Sequence, residues 1–269
     1  QFTFYPNGEK VEYAEIVIDN ELISAPYCID YIVPNGIEKI SKNAFNGCPE
    51  LHSVVIPGSV KHINESLFWC AYNLETVIFE EGVEDMWSHG MFGNCKALKT
   101  VQFPNSLKQV YGYMFEKCDS LAQVVMPDSI ERIYDNFFSD CPALKNVHLP
   151  NNLRSLGDRV FSRCSSLKNI KLPDSLAEIG WSAFQESGIE NIEFPNSMRH
   201  IGNNAFCRCG NLKKVLLNEG LETIADRAFE HCESIEEIVS ESLFKFQKRY
   251  PDAEVTVQIP EDFILIPVD

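Results

Sequence analysis

Apolar residues recur along this chain with a period of about 23 residues. Successive members of the clearest column lie 22 to 24 residues apart. The column comprises Cys28, Leu51, Leu74, Leu98, Leu121, Leu144, Leu167, Ile189, Leu212 and Ile235. A fixed period of this length is the sequence signature of a repeat protein whose equivalent segments stack on one another.

Other residue types recur with the same period, at fixed distances from this apolar column. Each unit reads approximately LxxVxLPxSLxxIxxxAFxxC, and residues 167–187 (LKNIKLPDSLAEIGWSAFQES) follow this consensus closely. The aromatic column comprises Phe45, Phe68, Phe92, Phe115, Phe138, Phe161, Phe184, Phe206 and Phe229. Most of these phenylalanines are followed three residues later by a cysteine. Agreement across several columns indicates nine structurally equivalent turns.

The pattern within a unit predicts its elements. Alternating apolar residues between the leucine and the proline, such as Val54 and Ile56, indicate a strand with one buried face. The proline ends the strand because it has no amide proton for a ladder. The Ala-Phe segment is expected to make about one helical or 3₁₀ turn that directs its ring inward. Since one unit cannot bury its own apolar face, the units must stack, giving a rod of roughly 45 Å.

The consensus resembles the BspA-like bacterial leucine-rich repeats over about residues 28–241. Local departures include Glu80 and Asn218 in place of proline, and Ala71 and Ser187 in place of cysteine. The predicted fold is a leucine-rich-repeat solenoid, a curved right-handed coil with a parallel β-sheet on its concave face. Short strands and 3₁₀ or helical turns are expected on the other sides. The resemblance also implies an exported, surface-displayed protein that adheres to host proteins or other cells.

The two ends of the chain are expected to cap the solenoid. Residues 1–27 carry two short apolar runs around a Pro-Asn-Gly turn and predict an N-terminal β cap. Residues 28–241 hold the repeats. Residues 242–269 predict a C-terminal cap with a short helix, 243–249, followed by strands. The chain begins with Gln1, from which we expect a processed or trimmed chain whose export signal lay upstream.

Composition narrows the classes of partner. The formal net charge is −16, which disfavours nucleic acid because phosphate groups are repelled. The longest apolar runs are only strand-sized, so we expect no membrane insertion. The protein is expected to be a monomer that binds a protein or a glycan.

The ten cysteines suggest neither a metal site nor a redox motif. No Cys-x₂-Cys pair occurs, and the pair Cys207 and Cys209 lacks a second pair at zinc spacing. Neighbouring column cysteines, such as Cys118 and Cys141, should lie within bridging distance. Their side chains should run parallel rather than converge, so we expect buried thiols. No catalytic motif is present, and we expect no enzymatic activity and no cofactor.

The outward-facing positions of the strands predict a binding face. Lysines gather there in an otherwise acidic chain, beside amide side chains at strand spacing. The candidate residues are Lys99, Gln102, Gln123, Lys145, Asn146, His148, Lys168, Asn169, Lys171, Asn191, Glu193 and Lys213. The alternative is that these are ordinary solvated strand residues.

Two functions remain open at this point. The first is a non-enzymatic, extracellular or cell-surface module for adhesion or protein binding through the concave face. The alternative is an intracellular, cytoplasmic scaffold, or a structural spacer within a larger protein.

Overall fold

The computed structural model describes residues 15–46, 48–63 and 66–240. These residues form nineteen short strands. The strands are β1 Ile16–Ile18, β2 Glu21–Ser24, β3 Asp30–Ile32, β4 Lys39–Ile40, β5 Ser53–Ile56, β6 His62–Ile63, β7 Thr76–Phe79, β8 Asp85–Met86, β9 Thr100–Gln102, β10 Gln123–Val125, β11 Arg132–Ile133, β12 Asn146–His148, β13 Ser155–Leu156, β14 Glu178–Ile179, β15 Asn191–Glu193, β16 His200–Ile201, β17 Lys214–Leu217, β18 Thr223–Ile224 and β19 Glu237–Ser240.

The Leu-to-Pro segments form parallel strands, as predicted, and together they make the long-strand face. Residues one repeat apart are paired, for example Val54 with Val77 and Val77 with Val101. The ladder is not continuous. It is divided into β3-β5-β7-β9, β10-β12 and β15-β17-β19, and residues 168–172 form no strand. Within each strand, buried and more exposed positions alternate, as in β5 and β7.

The shorter strands form a second parallel side of the solenoid. Strands β11, β13, β14, β16 and β18 make a five-stranded sheet, and β6 pairs with β8. In the larger sheet, β11, β13, β14 and β16 bury their second residue almost completely, for example Ile133 and Leu156, whereas Ile224 of β18 is only partly buried. Two apolar residues follow each proline, as Leu153 and Leu156 follow Pro150. The second of them lies in the second sheet and faces the core.

The Ala-Phe segments are hydrogen-bonded turns rather than the helical or 3₁₀ turns that the sequence predicted. In the part of the chain that the structure describes there is no helix, and so none that could cross a membrane. The reason is local. The residues two before and two after each phenylalanine mostly adopt positive φ, as at Asn136 (55°) and Asp140 (57°) around Phe138. A left-handed residue at each side interrupts any right-handed helix.

The backbone amides of these turns bond to the next coil instead. The amide of Phe138 donates to the carbonyl of Val160 at 2.9 Å, and that of Asp140 donates to Ser162 at 2.9 Å. The same three donors, two before, at and two after the phenylalanine, recur from Gly90 to Arg208. These bonds make a third ladder along the solenoid, the turn ladder, and in every one of them the earlier coil donates to the later coil.

The phenylalanine column is the centre of the core, as predicted. The rings form an uninterrupted stack from Phe45 to Phe229, with neighbouring centroids 4.9–5.5 Å apart. Phe138 and Phe161 are fully buried. Because each ring contacts the rings of both neighbouring coils, the stack joins all the repeats through one continuous apolar column.

The cysteine column has a hydrogen-bonding role as well as a packing one. All ten cysteines are free thiols. The Cys141 thiol donates to the carbonyl of Phe115 at 3.0 Å, and the Cys164 thiol donates to that of Phe138 at 3.1 Å. The thiols of Cys95, Cys118, Cys209 and Cys232 make the same contact with the phenylalanine of the coil before. The sulfurs therefore hydrogen-bond to buried carbonyls, and none of them forms a disulfide.

The N-terminal end differs from the repeats in that β1 pairs antiparallel with β2, which pairs in parallel with β4. The first residues of the predicted β cap, 1–14, lie outside the described residues. The predicted C-terminal cap, residues 242–269 with its helix at 243–249, also lies outside them. The cap boundaries stay predictions.

Candidate functional site

Every residue of the predicted binding face is exposed on the long-strand face. The exposed positions of one coil lie beside those of the next, because the strands are paired in register. Gln123 is paired with Asn146, and Val125 with His148. Asn191 is paired with Lys214. All twelve predicted residues, from Lys99 to Lys213, lie in equivalent segments of successive coils and are exposed, although Lys168, Asn169 and Lys171 lie in the coil that has no strand there.

Ion pairs divide the lysines of this face into two groups. The Lys99 ammonium lies 2.8 Å from the Glu75 carboxylate, and that of Lys168 lies 2.9 Å from Glu190. Each ammonium holds the pKa of its partner carboxyl below the usual value through a hydrogen bond and direct charge attraction. Among the described residues, no carboxylate lies within 4.0 Å of the ammonium groups of Lys145, Lys171 and Lys213. Of the lysines in the predicted binding face, only these three therefore have no ion pair among the described residues.

The second sheet carries a groove that the sequence analysis did not identify. It has a volume of about 580 Å³ and runs across β11, β13, β14, β16 and β18. Its floor is formed by the residues that follow β13, β14, β16 and β18, namely Gly157, Gly180, Gly202 and Ala225. A stretch of four coils therefore presents backbone, rather than large side chains, to the solvent.

The same column carries aromatic residues in the preceding coils. The ring of Trp87 lies 5.3 Å from that of Tyr111, and Tyr111 stacks on Tyr134 at 5.3 Å with an interplanar angle of 2°. Tyr134 lies at the end of the groove. The change from aromatic residues to glycine along one column is visible in the sequence, but only when the residue after the second strand is compared between coils.

The turn side of the solenoid is occupied by charges that pair with one another. The Arg163 guanidinium lies 3.4 Å from Asp140 and 3.2 Å from Glu186, and Arg208 lies 3.6 Å from Glu186. These groups belong to successive coils, so they form an alternating row along the axis. Their charges are largely satisfied within the molecule, unlike the three free lysines of the long-strand face.

Burial in the core favours the protonated form of the Cys95, Cys141 and Cys164 thiols. Burial raises the pKa of Cys95 and Cys141 to about 12, and it raises that of Cys164 well above the usual value. The thiolate is the form that attacks electrophiles and binds metals. In the described part of the chain, no three His, Cys, Asp or Glu residues are grouped as metal ligands would be.

Comparison with known proteins identifies the repeat. The model of the BspA-type leucine-rich-repeat region matches residues 18–145 and 131–250, in six copies. A search of curated proteins finds no match.

Several solved structures are similar in architecture. A leucine-rich cell-surface protein from Faecalibacterium prausnitzii is 17% identical, with 91% of this chain and 97% of that chain covered and a TM-score of 0.44. A leucine-rich-repeat protein from Bacteroides ovatus is 20% identical, with 92% and 88% covered and a TM-score of 0.40. The pneumococcal vaccine antigen PcpA is 17% identical, with 86% and 80% covered and a TM-score of 0.44.

The match extends over most of the chain and includes the strands, the prolines and the Phe-x-x-Cys turns described above. The chain belongs to the BspA-type leucine-rich-repeat family.

Proposed function

We propose that this protein is a non-enzymatic binding module that recognises an acidic ligand through its long-strand face. The observation that carries the proposal is the presence of three unpaired lysines, Lys145, Lys171 and Lys213, on one exposed face of a protein with a net charge of −16. An unpaired cation that projects into solvent is available to a ligand without first breaking an internal ion pair.

The residues around these lysines supply hydrogen bonds for the same ligand. The amides of Gln123, Asn146, Asn169 and Asn191 are all exposed there. They follow one another from coil to coil, so their spacing is close to the strand spacing of about 4.8 Å. An acidic protein segment, or an acidic glycan, that runs along the solenoid would meet a donor in each coil. Surface display on the producing cell is part of the proposal, as the setting in which such a face meets adhesion partners.

The binding experiment uses a variant in which Lys145, Lys171 and Lys213 are all replaced by Glu. The probes are a fluorescent Glu- and Asp-rich peptide and a sulfated oligosaccharide, at two salt concentrations. We expect the parent protein to bind at least one probe, more weakly as salt is added. The variant should raise the dissociation constant at least about tenfold, with little change in melting temperature.

The matched control replaces Lys39, Lys42 and Lys61 by Glu. These lysines are also exposed, and they change the net charge by the same amount. Equal loss of binding in both variants would contradict a specific role for the long-strand face, as would unchanged binding in the first variant. Labelling intact and permeabilised producing cells with an antibody tests surface display separately.

A further inference from the structure

The groove on the second sheet has a floor in which the packing of the coils leaves no room for side chains at the glycine positions. A Cβ atom added at Gly180 would lie 2.6 Å from the backbone carbonyl carbon of Gly157, and one at Gly202 would lie 2.7 Å from that of Gly180. These distances are too short for any side chain, so neighbouring coils approach closely only because glycine is present. The result is an open channel of about four coils, roughly 19 Å long at the usual strand spacing.

One end of this channel is an aromatic platform. Tyr134 is 38% exposed and stacks by one face on Tyr111 of the preceding coil. Gly157 takes the equivalent position in the next coil, so no aromatic ring continues the stack there. The guanidinium of Arg132 lies 5.8 Å from the Tyr134 ring centroid. A flat ligand ring placed at this end would therefore continue an existing stack and meet a polar group beside it.

The sides of the channel carry uncharged and charged hydrogen-bonding groups together. Ser155, Glu178, His200 and Thr223 follow one another along one side, and His200 Nδ1 lies 2.9 Å from the Thr223 hydroxyl. On the other side, one oxygen of Asp158 accepts a hydrogen bond from the Trp181 amide at 2.8 Å. The second oxygen has no hydrogen-bond partner among the described residues, and it is a ready acceptor for a ligand hydroxyl.

We propose that this channel binds a neutral oligosaccharide, with one sugar ring stacked on Tyr134 and the following rings over the glycine floor. Carboxylates, a hydroxyl and an imidazole supply acceptors and donors for the many hydroxyl groups of a sugar chain. The carboxylates disfavour an anionic ligand, and Arg132 beside the platform disfavours a cationic one. The proposal does not rest on the proposed function, because the channel lies on the second sheet and the three lysines lie on the long-strand face.

The experiment titrates the whole protein by calorimetry with four neutral hexasaccharides: β-1,4-linked glucose, β-1,4-linked mannose, β-1,4-linked xylose and α-1,4-linked glucose. We expect at least one to bind, with an affinity that is insensitive to salt because no ion pair is formed. Tyr134→Ala removes the platform, and Ser155→Trp fills the channel from its side. Each should raise the dissociation constant at least about tenfold.

The matched control is Tyr72→Ala, since Tyr72 is 58% exposed and lies outside the channel. It should leave binding unchanged. The absence of binding by all four sugars would overturn the proposal. So would binding that Tyr134→Ala and Ser155→Trp leave intact while both variants keep the parent melting temperature. Salt-sensitive binding of an Arg- and Lys-rich peptide, with no sugar bound, would assign the channel to a basic protein segment instead.

Discussion

At the scale of single residues, each core phenylalanine is fixed by rings from two neighbouring coils. Phe138 lies 5.3 Å from both Phe115 and Phe161, and 4.8 Å from Phe137. Phe138→Ala removes these contacts and leaves a cavity that stacked coils cannot close. We expect a loss of about 3–5 kcal/mol in the free energy of unfolding, measured by urea denaturation.

The aromatic control for this substitution is Trp181→Ala. Trp181 is 41% exposed, and the Arg159 guanidinium lies 4.2 Å from the centroid of its ring. Its removal should cost no more than about 1 kcal/mol. A similar cost for both substitutions would show that the phenylalanine stack is not the stabilising core.

The buried thiols of Cys95 and Cys141 make the free energy of unfolding depend on pH in the alkaline range. Above the ordinary thiol pKa of about 8.5, the unfolded chain loses these protons while the folded chain keeps them. The unfolded state is therefore favoured as the pH rises, up to the folded pKa of about 12 for Cys95 and Cys141. Each such thiol should lower the free energy of unfolding by about 1.4 kcal/mol per pH unit. Below pH 8 the contribution of each thiol should not change with pH.

A serine tests this pH dependence, because Ser187 already occupies the equivalent position in one coil and is buried there. In Cys141→Ser the free energy of unfolding should fall less steeply as the pH rises, because the contribution of one thiol is removed. Denaturation at several pH values between 8 and 10.5 measures this slope. An unchanged slope would mean that Cys141 does not stay protonated in the fold.

At the scale of elements, the turns hold several residues in a left-handed conformation that their residue types do not favour. Lys117 has a φ of 60°, yet its amide donates to the Ser139 carbonyl at 2.9 Å. We expect Lys117→Gly to raise the free energy of unfolding by up to about 1 kcal/mol, since glycine adopts this conformation without strain. Lys117→Val should lower it by about 1–2 kcal/mol.

A strand position provides the control for these turn variants. Gln123 is exposed in β10, and Gln123→Gly should lower stability by about 0.5–1 kcal/mol. Thermal and urea unfolding of the three variants should therefore give opposite signs for the two glycines. Destabilisation by glycine at both sites would argue against a left-handed backbone at Lys117.

The elements also show what the sequence could predict and what it could not. Alternation between leucine and proline predicted the strands and their exposed faces. The turns were predicted wrongly, because their left-handed positions carry residues that do not prefer that conformation. These residues include Cys70, Lys117, Arg163, Glu186 and Arg208. Their conformation is imposed by the amides that bond to the next coil, which is a contact between repeats rather than a local preference.

The candidate site was predictable to a similar degree. Strand periodicity was sufficient to predict that all twelve face residues are exposed. It was not sufficient to separate paired Lys168 from unpaired Lys145, since that depends on the side chains of the neighbouring coil. The groove depends on how closely neighbouring coils approach at Gly180 and Gly202. That distance cannot be predicted from the length of the repeat.

At the scale of the whole molecule, stability is a sum over coils that contact only their neighbours. Removal of residues 144–166 deletes one full period and joins Ala143 to Leu167, which restores the register of every column. We expect this shortened protein to fold with the same circular dichroism per residue and with the phenylalanine stack intact. Deletion of residues 144–155, about half a period, should prevent cooperative unfolding. Equal behaviour of the two deletions would contradict a stack of equivalent coils.

The turn ladder also gives the molecule a net dipole along the solenoid axis. β-Sheets have only small net dipoles, but from Gly90 to Arg208 the amides of the turn ladder all point toward the C-terminal end. Their peptide dipoles therefore add along the axis as they do in an α-helix, with the opposite polarity relative to the chain. The positive end lies at the last described turn, which carries the acidic residues Asp226 and Glu230. Every added coil lengthens this dipole, so the number of repeats determines how far apart its two ends lie.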